Sequence, residues 1–174
     1  MTLTSASVLK FGNVTQLKAP ISNLPSSIIL GAIAGCLGAG FINVNTRLGI
    51  LRKKYINTST KKVLETCAFS FATATTFFLV AAYAPNCQTK DPDTDREYYA
   101  GGCTGADEYS PIASLLFNTE GGTIRAIMNN NLRTTFGEIT GFICIWYFFT
   151  ITTYGVTVPS GLFLPGIIIG CAIG

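Results

Sequence analysis

The chain has 174 residues, 48% of them hydrophobic and 12% charged, with a formal net charge of +3. Soluble domains carry roughly 25% charged residues, so these values exclude an ordinary soluble domain and predict an all-α polytopic membrane protein. Histidine is absent, which removes imidazole bases, Ser-His and Cys-His nucleophile pairs and most zinc sites; enzymatic activity is not expected.

Met1 to Ala19 carries Lys10 and Lys18 but no continuous apolar core of signal-peptide length, so no cleaved leader is predicted. Asn13-Val14-Thr15 is a glycosylation sequon, and residues 1–27 are assigned to the lumen or cell exterior. Ile28 to Thr46 has no charge and is long enough to span a bilayer. Its small residues, Gly31, Ala34, Gly35, Gly38 and Gly40, are spaced to let another helix approach closely. Arg47, Arg52, Lys53, Lys54, Lys61 and Lys62 follow with no acid among them. Such a positive excess marks the cytoplasmic side, so residues 28–84 read as two membrane helices joined by a basic cytoplasmic loop. Arg52, Lys53 and Lys54 also suit anionic lipid head groups, although the orientation role is sufficient to explain them. The second sequon, Asn57-Thr58-Ser59, falls in that loop and should stay bare. Val63 to Ala84 is the second span, with Glu65 near one end, and its Thr73, Thr75 and Thr76 hydroxyls are able to bond back to their own helix.

Residues 85–136 are net acidic and read as a luminal or extracellular loop. Asp91, Asp93 and Asp95 copy the first ligands of a calcium loop, but Arg96 and Gly102 stand where that loop needs Gly and a bidentate Glu, so a solvated acidic loop is expected. Cys87 and Cys103 are the only loop cysteines, since Cys36, Cys67, Cys144 and Cys171 fall within apolar spans. One disulfide, Cys87 to Cys103, is predicted for an oxidising compartment; the alternative is two free thiols.

From Ile139 to Gly174 no side chain is charged, yet Gly155, Pro159, Ser160, Gly161 and Pro165 interrupt the apolar run. Residues 137–174 therefore read as a membrane helix, Ile139 to Tyr154, followed by a broken half-helix. An unwound segment at membrane depth persists where it lines a cavity or meets an ion. Gly161 permits unusual backbone angles, and Pro165 is tolerated in the first turn of a helix starting near Leu162. The free N–H groups of that turn and the positive end of its dipole form an anion site without a cationic side chain. A Pro-kinked or re-entrant hairpin with no ligand fits the same residues, and the two readings stand side by side. Gly174 ends the chain inside an apolar run about 15 Å long, half a bilayer core, so the sequence is expected to be one portion of a larger protein.

Gly161-Leu162-Phe163-Leu164-Pro165 resembles the GxFxP signature of the CLC family of chloride channels and proton-coupled chloride exchangers. The resemblance extends along most of the chain: Ile28 to Arg52 looks like family helix J, Val63 to Ala84 helix K, Phe117-Asn118-Thr119 the start of helix L, Ile139 to Tyr154 helix M, and Leu162 to Gly174 the start of helix N. Asn86-Cys87-Gln88, Cys103, the Phe-Asn-Thr triplet and the run Thr153 to Val158 look most like the endosomal and lysosomal branch. The resemblance implies chloride transport, as channel or chloride/proton antiporter, in an endosomal, lysosomal or vacuolar membrane. It implies chloride as transported ion with no cofactor or metal, and as partners the lipid bilayer, the remainder of the full-length chain and, when complete, a second copy in a homodimer, with no nucleic acid. It maps the chloride-coordinating backbone amides to Leu162 and Phe163, with Ser160, Gly161 and Pro165 as motif support. The family's GSGIP and GKEGP or GREGP segments are not in this sequence, so the chain is expected to act only within a complete protein. The rival reading is a non-transporting four-span scaffold with a disulfide-bonded outer loop, loosely like a tetraspanin; an unwound backbone at membrane depth has no use in such a scaffold.

Overall fold

A computed structural model describes residues 23–84, 86–90, 98–105, 107–128, 132, 134–158 and 161–174. The Asn13 sequon, the Asp91, Asp93 and Asp95 triplet, Pro159 and Ser160 lie outside the described residues.

The first helix, α1 (Leu24–Tyr55), has Pro at its start, where a missing N–H costs nothing, and Arg52, Lys53 and Lys54 in its last turn, where the dipole favours cations. Its 32 residues make about 48 Å of helix, longer than a bilayer core. α2 (Ser59–Ala82) follows after three residues. The basic loop read from the sequence thus shrinks to Ile56, Asn57 and Thr58, because Arg47 through Lys54 continue α1 and Lys61 and Lys62 open α2. Straight-chain basic residues are good helix formers, and nothing between Arg47 and Tyr55 breaks the helix.

Past α2 the chain makes a small antiparallel ladder of β1 (Gln88–Thr89) with β2 (Glu108–Tyr109), Gln88 opposite Tyr109 and Thr89 opposite Glu108. Cys87 is disulfide-bonded to Cys103, 16 residues away. Gly101 sits at φ +57, and the Gly102 N–H donates to the Ala81 carbonyl at 3.1 Å. A Cβ on Gly102 would collide with the Ala82 carbonyl oxygen, so a glycine is required where this loop presses on the end of α2.

The stretch read as an outer loop does not remain one. α3 (Pro111–Phe117) and α4 (Glu120–Met128) lie within it, and every residue from Pro111 to Leu116 is buried. Ser110 caps α3, accepting from the Ala113 N–H at 3.4 Å, and Pro111 takes the first helical position. The buried hydroxyls are satisfied: Ser114 Oγ donates to the Ser110 carbonyl at 3.0 Å and accepts from the Tyr99 N–H at 3.1 Å, while Thr123 Oγ1 donates to the Leu115 carbonyl at 3.0 Å. At seven residues α3 is too short to announce itself as a membrane helix, yet it is the most buried element.

α5 (Phe136–Thr153) begins three residues before the predicted span, because Glu138 reaches back to the Thr135 N–H at 2.7 Å and closes a capping box. α6 (Phe163–Ile173) returns beside it. The core is made by Tyr109, Ile112, Leu115, Leu116, Ile124, Leu132, Phe142 and Ile168, contributed by β2, α3, α4, α5, α6 and the segment between α4 and α5. α1 has no buried residue, and α2 has only Ala81. α1, α2 and α5 are each long and apolar enough to cross a membrane. Close approach to α1 happens at one of its glycines: Tyr147 Oη donates to the Leu37 carbonyl at 2.6 Å, and a Cβ on Gly40 would meet that hydroxyl at 3.2 Å. A Cβ on Gly31, Gly35 or Gly38 would meet nothing within 4 Å.

Candidate functional site

The break between α5 and α6 brings one helix's carbonyl end and another's amide end into the same region. α6 starts one residue later than the sequence suggested: Leu162 is the N-cap, at φ −95° and ψ −14°, and Phe163 is the first helical residue. The Gly166 N–H closes the first turn on the Leu162 carbonyl at 3.1 Å. By helix geometry the amides ahead of Gly166 have no intrahelical acceptor, and Pro165, third in the helix, contributes no N–H. Leu162 is 37% and Phe163 72% exposed, so this first turn is open. No charged side chain lies on α6 or in the sequence leading to it from Tyr154, so the segment's own contribution to the field at the α6 start is that of the backbone dipole.

From the sequence Gly161 is expected as the residue that permits unusual backbone angles in this break. It is not among the left-handed glycines, and a Cβ there would meet nothing within 4 Å. The residue that needs to be glycine in this break is Gly155, at φ +89°, the turn that leads the chain off the end of α5. Side chains other than glycine rarely adopt that angle.

α6 packs one face on the core through Leu164, Ile167 and Ile168. Its other face, with Leu162, Gly166 and Gly170, lines an apolar cavity of about 210 Å³ shared with Gly38 and Phe41 of α1 and Thr150 of α5. The start of α6 thus lies beside the same stretch of α1 that holds the end of α5. Phe41 and Tyr154 make ring contact there, with centroids 5.6 Å apart.

Arg52, read from the sequence as an orientation residue, and Asn45, not singled out there, converge on the α5 terminus, and Glu65, read as a span-end acid, holds Arg52. Arg52 Nε donates to Glu65 Oε1 at 2.6 Å, a pair with side chains only 13% and 12% exposed. Its Nη1 donates to the Tyr154 carbonyl at 3.0 Å and its Nη2 to the Thr152 carbonyl. Asn45 Nδ2 donates to the carbonyls of Ile151 at 3.2 Å and Tyr154 at 2.8 Å. The guanidinium also lies over the Phe69 ring, 5.6 Å from its centroid. Sequence reasoning missed this cluster, although a signal existed: Glu65 is the sole acid of the second span, and Asn43 and Asn45 are the two side-chain amides of the first. Paired across a helical hairpin, such residues seldom stay free.

The family described as voltage gated chloride channel matches residues 2–174. The H(+)/Cl(-) exchange transporter 7 of Mus musculus is 28% identical over 175 residues, covering 99% of this chain and 22% of that protein. The human protein of the same name shows 28% identity over 175 residues, with 99% of this chain and 22% of its own length covered. Chloride channel protein CLC-d of Arabidopsis thaliana is 29% identical over 168 residues, covering 87% of this chain and 21% of that protein. The chain spans about a fifth of the length of these curated relatives. A match from residue 2 to residue 174, on a fold of long bare apolar helices with a broken final pair, shows that the chain belongs to the voltage-gated chloride channel family and is a multi-pass membrane segment of it.

Proposed function

We propose that the chain supplies part of the anion pathway of a transmembrane chloride transporter, a channel or chloride/proton antiporter, with the amides of Leu162 and Phe163 contributing to the anion site. The observation that carries this reading is the α6 start itself: an open first turn in an uncharged break between apolar helices. Amides aligned with a helix dipole attract an anion without the full positive charge that would trap it. The relatives named as chloride channels and H(+)/Cl(-) exchangers support the choice of anion. In the complete protein the Ile56 to Thr58 linker faces the cytoplasm, with Arg47, Lys53, Lys54, Lys61 and Lys62 around it, and the disulfide-bonded segment faces the lumen or exterior. Homodimerisation, and residence in an endosomal, lysosomal or vacuolar membrane, belong to the same proposal.

The test is an amide-to-ester exchange at Phe163 in the complete protein, which deletes one N–H and keeps the side chain. A hydrogen bond to a charged group is worth roughly 1.5–3 kcal/mol, so anion affinity should weaken about tenfold or more. Reconstituted vesicles report it as chloride flux against concentration. An ester protein with parental flux, affinity and chloride-to-nitrate preference would show that the anion does not meet this amide.

A further inference from the structure

We propose that Arg52, held by Glu65 and assisted by Asn45, is a positioning residue for the anion site: it seals the carbonyl end of α5 and fixes where the break begins. This rests on the anion-site reading of α6. A helix leaves its last carbonyls without intrahelical partners and concentrates about half a negative charge there. Open carbonyls beside an anion path would repel the ion that the α6 amides attract.

Here each of the last five carbonyls is taken. Thr150 accepts from the Tyr154 N–H at 3.1 Å and Thr153 from the Val156 N–H at 3.2 Å. Ile151 accepts from Asn45, Thr152 from Arg52, and Tyr154 from both. The charge arithmetic also suits an anion path. A lone guanidinium would be a trap, but Glu65 neutralises this one and the carbonyls use its fork. The contact reaches the break itself, because a Cβ on Gly155 would lie 3.3 Å from Arg52 Nη1. From there the chain turns toward α6, whose start shares a cavity with Phe41 of α1.

The experiment uses the complete protein with Arg52→Gln, Arg52→Lys and Asn45→Ala, each reconstituted at matched protein amount. Chloride flux and the chloride-to-nitrate permeability ratio are read together with amide hydrogen exchange over residues 154–158. Losing charge-assisted bonds at the α5 terminus should speed exchange there about tenfold in Arg52→Gln, with Arg52→Lys intermediate. Flux should fall about fivefold or more and the permeability ratio should shift, whereas a purely structural role would lower the amount of folded protein and leave the ratio unchanged. Asn45→Ala removes two neutral bonds without touching charge, and should move exchange and ratio in the same direction if Arg52→Gln does not insert. Parental exchange at 154–158 in either variant overturns the clamp, whether or not the protein carries anions. Faster exchange with parental flux and ratio overturns its link to the anion site. Parental protein that carries no anion counts against the anion reading instead, with the exchange result still judging the clamp.

Discussion

The two long helices at the beginning of the chain and the compact assembly that follows them use the same apolar vocabulary in opposite ways. α1 buries none of its residues: Ile28, Ile29, Ile42 and Ile50 are each more than 60% exposed. On α2, Phe71 is 75% exposed. In α3 through α6, Ala113, Phe142 and Ile168 are 0% exposed and Leu115 is 2%. Bare apolar surface of this extent is unstable in water, so α1 and α2 owe their environment to lipid or to the rest of the complete protein. The later assembly supplies its own. Length and hydropathy mark α1, α2 and α5 as able to cross a membrane, while the core forms where the short helices α3 and α4, which neither property marks, meet α5 and α6.

Truncation should separate the two regions most strongly at the core. Leu115→Ala or Phe142→Ala in the complete protein should cost about 3–5 kcal/mol, read as a lowered thermal midpoint in lipid nanodiscs. Phe71→Ala should cost far less if lipid covers that face. An equal loss at Phe71 would show that another segment of the protein packs on α2, and the contrast drawn above would belong to this chain alone.

Next in size is the tie between the regions. The disulfide from Cys87 to Cys103 closes a loop with a sequence separation of 16 just beyond α2, and Gly102 binds that loop to the α2 terminus. Cys103→Ser should lower stability by about 3 kcal/mol in the chain-entropy estimate. Hydrogen exchange at the Gly102 amide should rise with it, whereas exchange in the middle of α1 should not. Equal acceleration in both places would mean that the loop and the long helices open as one unit.

The difference between the regions also explains what was readable in the sequence. The spans of α1, α2 and α5 stood out because long apolar stretches with at most one charge have few other meanings, and the GLFLP run singled out the start of α6 to within one residue. α3 was hidden because it is seven residues long, is preceded by Ser110 and carries Ser114, whose hydroxyls look like loop chemistry until Ser110 caps the helix and Ser114 bonds back to it. Glu138 precedes the predicted span by one residue, yet it is the third residue of α5, closing its capping box and 9% exposed. The Arg52 cluster was out of reach for a different reason. Its partners are backbone carbonyls about a hundred residues away, and carbonyls carry no sequence signal.

The smallest expected effect concerns two glycines that look equivalent in the sequence, one on each side of the break. Gly155 lies at φ +89°, and a Cβ there would press on Arg52 Nη1, a group already held by Glu65 and two carbonyls. Gly161 is outside the left-handed region, with open space where its Cβ would be. Gly155→Ala should therefore cost about 1–2 kcal/mol of stability from its backbone conformation. Gly161→Ala should fall within about 0.5 kcal/mol of the parent. Thermal unfolding of the two variants of the complete protein makes the comparison directly. The reverse order would place the turn of the break at Gly161 and identify a neighbouring segment, supplied by the rest of the protein, that comes close to its backbone. The predicted order would leave Gly155 and the sealed end of α5 as the hinge from which the α6 amides are aimed.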